Sequence, residues 1–213
     1  MRPEELYKIA DEAVKEEELT AADIPNIDLY IDQILNLISE KNAESSHRYS
    51  DRQLTKTMIN NYSKDGLITP VKGKKYNREQ IAQILSVYTF KNTLSIGEIK
   101  RLLDGAYSIE GFDGESLIAT YDRHIEIKKG NREYAKEILS ELIDRNGLDI
   151  ENERDFMLIV GSLLSASAFL RNIAQEMIDV KYPEKDETTE KTEKPKKEKK
   201  KKKNTEKDGK ESE

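Results

Sequence analysis

The chain has 213 residues, a formal net charge of -6 and no cysteine, and its 36% hydrophobic content is low for a sequence folded from end to end. Without cysteine it has no disulfide, no thiolate metal site and no cysteine nucleophile, and nothing in it asks for an oxidising compartment. The charge is unevenly placed: between Arg48 and Arg101 eleven Lys and Arg stand against four acids, a local +7 that leaves -13 for the remainder.

The stretch through Leu19 is too acidic and too interrupted for a signal peptide, so a cytoplasmic protein is expected. Within it, Leu6, Ile9, Ala10 and Ala13 predict a weak amphipathic helix from Pro3 to Glu18, loosely attached, as a first segment of residues 1–22. After Ile24-Pro25, Asn26 is placed to cap a helix carrying Ile27, Ile31, Ile34, Leu35 and Ile38 at helical spacing. A polar loop follows from Asn42 to His47.

The run SDRQLTKTMINNYSKDGLI from Ser50 offers two helix starts, a Ser50/Gln53 capping box or Thr55 as the cap. The favoured helix covers Thr55 to Lys64, with Met58, Ile59 and Tyr62 inward and Lys56, Thr57, Asn60, Asn61 and Lys64 outward. Gly66 suits its left-handed end. Leu67-Ile68 and Lys75-Tyr76 flank TPVKGK, which predicts two very short strands around a turn tipped with lysines, a wing.

Asn77 and Gln80 form a capping box for a helix burying Ile81, Ile84, Leu85 and Tyr88 and ending near Lys91. Ser95 and Glu98 form another, for a helix burying Ile96, Ile99, Leu102 and Leu103 and stopping at Asp104-Gly105. These elements group as residues 23–105. Residues 106–182 then predict helices near 115–128, 131–145 and 153–180, for dimerisation or signal reception.

The longest apolar run, Phe156 to Leu170, lies between Asp155 and Arg171 and falls short of the roughly 20 residues of a spanning helix. No membrane association is expected. A helix apolar around most of its circumference predicts burial, and two readings stand for it: an intramolecular core helix, or the seam of a homodimer through residues 153–180. Residues 183–213, with twelve Lys against ten acids after Pro183 and no Leu, Ile, Val or aromatic residue, predict a disordered solubilising tail.

The motif order LTKTMINNYSKDGLI, Pro70, lysine-rich turn, Tyr76, capped helix and LSIGEIKRLL resembles the winged helix of the mercury-resistance-regulator family of bacterial transcription factors, over about Leu54 to Leu103. Tyr62, Gly66 and Leu67 match the end of that family's recognition helix, and Ser95, Glu98, Ile99, Leu102 and Leu103 match its closing pattern. That family often carries Arg-Tyr where this chain has Asn60-Asn61. From Asp23 through the last helix the chain also resembles a bacterial domain family of unknown function. The fold expected is mainly α: a winged helix-turn-helix with a very small β wing, flanking helices and the charged tail.

The resemblance implies a DNA-binding protein, a transcriptional regulator rather than an enzyme, with double-stranded DNA as partner. The outward face Lys56, Thr57, Asn60, Asn61 and Lys64 would enter a major groove, where Asn pairs bidentately with adenine. Lys72, Lys74 and Lys75 would meet phosphates, with Arg48, Arg52 and Arg78 as weaker candidates. The bland alternative is a solvated helix face on a protein-interaction adaptor. His47 and His124 have no partnered motif, Gly73-Lys74 lacks the rest of a phosphate-binding loop, and Asp149 to Asp155 lacks a calcium loop's glycine, so neither catalytic residues, nor a cofactor, nor a metal is expected.

Overall fold

The structure is a computed structural model that describes residues 2–46 and 53–184. His47, Arg48, Arg52, the Ser50 cap and the tail beyond Glu184 lie outside the described residues. Within them the protein is mainly helical, with one two-stranded sheet. In chain order the elements are α1 (Pro3–Ala13), a 3-10 turn (Ala21–Asp23), β1 (Leu29–Tyr30), α2 (Ile31–Asn42), α3 (Lys56–Lys64), β2 (Lys75–Tyr76), α4 (Arg78–Phe90), α5 (Ile96–Tyr107), α6 (Gly114–Asn146) and α7 (Glu153–Lys181).

The capping signals behave as their chemistry requires. Thr55 accepts from the Met58 N–H at 3.2 Å, Asn77 from the Gln80 N–H at 2.8 Å, and Ser95 from the Glu98 N–H at 3.2 Å. Gln80 and Glu98 return the favour by accepting the N–H of Asn77 and of Ser95, which satisfies further orphan donors at each helix start. Past α3, Gly66 takes a φ of +72°, where a glycine has no Cβ penalty, and the Leu67 N–H closes the turn on the Tyr62 carbonyl at 2.8 Å.

Several expectations are corrected. The segment after Pro25 does not begin as a helix capped by Asn26: Leu29–Tyr30 is a strand, α2 starts at Ile31, and Ile27 is exposed. Burial of Leu29 beside Tyr76 selects the strand, since the two residues are register partners and both lie in the core. The wing pairing also differs. Lys75–Tyr76 pairs antiparallel with Leu29–Tyr30, not with Leu67–Ile68.

The reason lies in α4. The Gln80 amide donates to the carbonyls of Thr69 and Pro70, both at 3.1 Å, and Gln83 Oε1 accepts the Thr69 N–H at 2.9 Å. Proline offers no N–H, so the backbone at 69–70 is already satisfied without a ladder. Both glutamines are buried, and Gln83 also donates to the Tyr107 hydroxyl at 2.8 Å, which in turn donates to Glu79.

Helix α5 runs through Gly105 to Tyr107, because Gly105 is not a stop but a packing site under the ring of Tyr182. The two helices expected at 115–128 and 131–145 are one, α6, closed by Gly147 at φ +58°. Nor is the apolar helix buried. Of α7, Ile159 and Ile178 are buried, whereas Met157, Leu164, Phe169, Met177 and Val180 are all more than 60% exposed.

One core gathers Leu29, Ile34, Ile38, Ile59, Tyr62, Ile81, Ile84, Leu85 and Ile99 with Leu117, Ile118, Tyr121 and Ile125 from the first half of α6. A smaller one joins Leu139, Ile150 and Ile159 to the half-buried Leu6 and Ala10 of α1. Ion pairs link the N-terminal segment to α6: Lys136 to Asp11 at 2.9 Å, and Lys128 to Glu16 at 2.6 Å and Glu18 at 2.8 Å. Burial opposes the charge of Lys128, but Glu18 and Glu16 more than offset it and hold the amine above the usual lysine range.

Candidate nucleic-acid interface

Helix α3 is anchored from below. Ile59 and Tyr62 are buried, and burial, with Tyr88 near by, pushes the Tyr62 phenol up from its usual pKa. Tyr62 is thus a core group, held neutral at physiological pH. Successive residues of a helix advance by about 100°, so Lys56, Thr57, Asn60, Asn61 and Lys64 fall within one arc opposite these anchors. All five are exposed.

The electrostatics of this face are mixed. Lys56 Nζ lies 2.6 Å from Asp32 Oδ1 on α2, an exposed pair that weakens the positive field at the start of α3. Among the described residues, Lys64 makes no ion pair and its charge is available. At the far end, Lys100 reaches from α5 to donate to the Gly66 carbonyl at 3.2 Å, with Asp104 at 3.7 Å. Sequence patterning missed Lys100 because its contact spans two loops, though its place in the basic segment was visible.

Lys72 and Lys74 sit exposed in the turn before β2, and neither makes an ion pair within the described residues. Lys75 is on β2 itself, with its amine 5.1 Å from the ring centroid of Tyr30 on the paired strand. That cation–π contact and the ladder fix its direction. Arg78 is committed elsewhere: it donates to the Ala21 carbonyl at 3.0 Å, tying α4 to the 3-10 turn.

The residues collected here are polar and cationic donors on an exposed helix, without the paired nucleophile and base of a catalytic centre. Among the described residues no three His, Asp or Glu gather as a metal cluster. The chemistry the arrangement offers is recognition of an anionic or hydrogen-bonding surface.

The fold is therefore a mainly helical domain with a minimal sheet that presents one short polar helix. Residues 19–124, just under half the chain, match the family model described as Domain of unknown function (DUF1836), and over this stretch the chain is similar to that family. Comparison with curated proteins and with solved structures finds no match.

Proposed function

We propose that the protein binds double-stranded DNA through α3, as a bacterial regulator of the winged-helix kind. The observation that carries this reading is the face Lys56, Thr57, Asn60, Asn61 and Lys64, fully outward on a helix whose other side is locked by Ile59 and Tyr62. Such a rigid helix fits a major groove, where amide side chains read base edges and lysines read phosphate. Lys72, Lys74 and Lys75 would add backbone contacts. The resemblance to mercury-resistance regulators supports the same use.

A second copy is the proposed partner of α7. Phe169, Leu170, Ile173, Met177 and Val180 recur at helical spacing as one stripe, between 57% and 82% exposed. Packed against the same stripe of a second copy across a two-fold axis, these side chains would make a self-complementary apolar seam.

Helix α7 is also long and apolar enough to cross a membrane by length and composition, with a mean hydropathy of 1.6 in its most apolar window. Arg171, Glu176 and Asp179, all exposed, interrupt its C-terminal half and favour the second copy over lipid.

The test is a fluorescence-anisotropy titration of the full chain against sheared genomic duplex DNA at two salt concentrations. Binding that weakens steeply with salt and is reduced by Lys64→Ala and Lys74→Ala supports the reading. No binding at low salt, or binding indifferent to both changes, overturns it. The exposed stripe on α7 and the Lys56–Asp32 pair favour the runner-up, a protein-interaction adaptor, in that event.

A further inference from the structure

We propose that the open-mouthed cavity lined by α4, α5, the segment between α5 and α6, α6 and Tyr182 is a binding site for a small, uncharged, mostly apolar molecule with one hydrogen-bonding group, on the scale of a bicyclic aromatic. Its volume is about 340 Å³, within the range of small-molecule sites. Phe90, Leu102, Leu103, Ile109, Phe112 and Leu117 supply most of the wall, so a charged occupant would lose its hydration without compensation. None of the cavity's residues belongs to the α3 face, and the inference stands whether or not the protein binds DNA.

Ser86, Thr89, Thr120 and His124 are polar points of this wall, and of these His124 carries the titratable ring. It is half-buried, its ring stands 5.4 Å from that of Phe90, and it makes no hydrogen bond within the described residues. Burial, with Lys128 near by, lowers its pKa and favours the neutral imidazole, which presents one donor and one acceptor. A ligand with a single N–H or C=O finds its partner in that imidazole.

The remaining wall is Tyr182, the residue after α7. Its ring occupies the space that a side chain at residue 105 would need, and Arg101 fixes it by donating to its carbonyl at 2.8 Å and to Asp179 at 2.6 Å. A molecule in the cavity therefore rests against the end of α7. Occupancy and the seating of that helix are linked, since a ligand shifts an equilibrium by its differential affinity for the two arrangements.

Indole is a suitable probe, because the chain has no tryptophan to mask its emission and two histidines to report on it. Titrated into the full chain, indole is expected to show saturable, blue-shifted emission at one equivalent, with the imidazole signal of His124 moving. Ala106→Leu, which narrows the cavity, should weaken binding about tenfold or more, and Tyr134→Ala on the exposed side of α6 should leave it unchanged. The proposal is overturned if indole does not saturate within its solubility, if Ala106→Leu folds and binds as tightly, or if the His124 signal stays in place at saturation. Should Ala106→Leu fail to fold, the His124 signal of the unaltered chain decides the matter alone.

Discussion

The ring of Tyr182 lies directly over the Cα of Gly105, so that a Cβ there would overlap it. Residue 105 is buried in the last turn of α5, where glycine still costs helix stability relative to alanine, and the close approach of the ring is the reason it is tolerated. Gly105→Ala is expected to lower stability by about 1–3 kcal/mol through overpacking, measured by urea unfolding. Adding Tyr182→Ala should recover part of the loss. If the single variant is instead more stable, helix propensity outweighs the contact and the packing argument fails.

On the α3 face, Asn60→Ala and Asn61→Ala are each expected to cost roughly 1–3 kcal/mol of discrimination on a selected duplex while leaving random DNA almost unaffected. Lys74→Ala should weaken every sequence alike and reduce the salt slope by about 1. Competition titrations with selected and random duplexes separate the two patterns. Equal losses on both DNAs for the Asn changes would remove the base-reading role.

The exposed stripe of α7 predicts a dimer in solution. Light scattering behind size exclusion should give twice the chain mass, and Ile173→Glu or Met177→Glu should give the chain mass without loss of helical signal, because both side chains point away from the chain's own core. A monomeric unaltered chain that floats with anionic vesicles would instead assign the stripe to lipid.

The His124 pKa, lowered by burial with Lys128 adding to it, has a definite consequence for pH. The unfolded chain protonates this histidine near its ordinary value of about 6.5, while the folded chain resists until lower pH. The unfolded state then binds more protons, and stability falls as pH drops below about 6.5. Around the ring, Phe90 and Lys128 face it and Glu16 and Glu18 line the adjoining cleft. Glu98 and Asp113, held below the usual carboxylate range chiefly by the backbone N–H groups of Ser95 and Ser116, lose their contribution at lower pH still. Melting temperature should drop by a few degrees between about pH 7 and 5.5, and His124→Gln should flatten that slope. An unchanged slope would assign the effect to the carboxylates.

Legibility in the sequence followed the range of the interaction. Thr55, Asn77 and Ser95 could be read as caps because a cap is settled within three residues, and the outward face of α3 could be read because helical phase alone separates Asn60 and Asn61 from Ile59 and Tyr62. The strand at Leu29–Tyr30 was not legible. Two residues carry no periodicity, and the segment becomes a strand because Tyr76, far along the chain, pairs with Leu29.

By itself, then, the amino-acid sequence determined where the helices α3, α4 and α5 begin, that the protein is mainly helical, and which side of α3 faces water, since these rest on local hydrogen bonds and on the 3.6-residue repeat. Tertiary structure alone decided that Gly105 continues a helix instead of ending it, that Gln80 and Gln83 consume the backbone of Thr69 and Pro70, and that α7 leaves its apolar surface uncovered. Each of those outcomes depends on which distant group arrives at a site. A glycine, a glutamine or a leucine carries no local mark of its eventual neighbour.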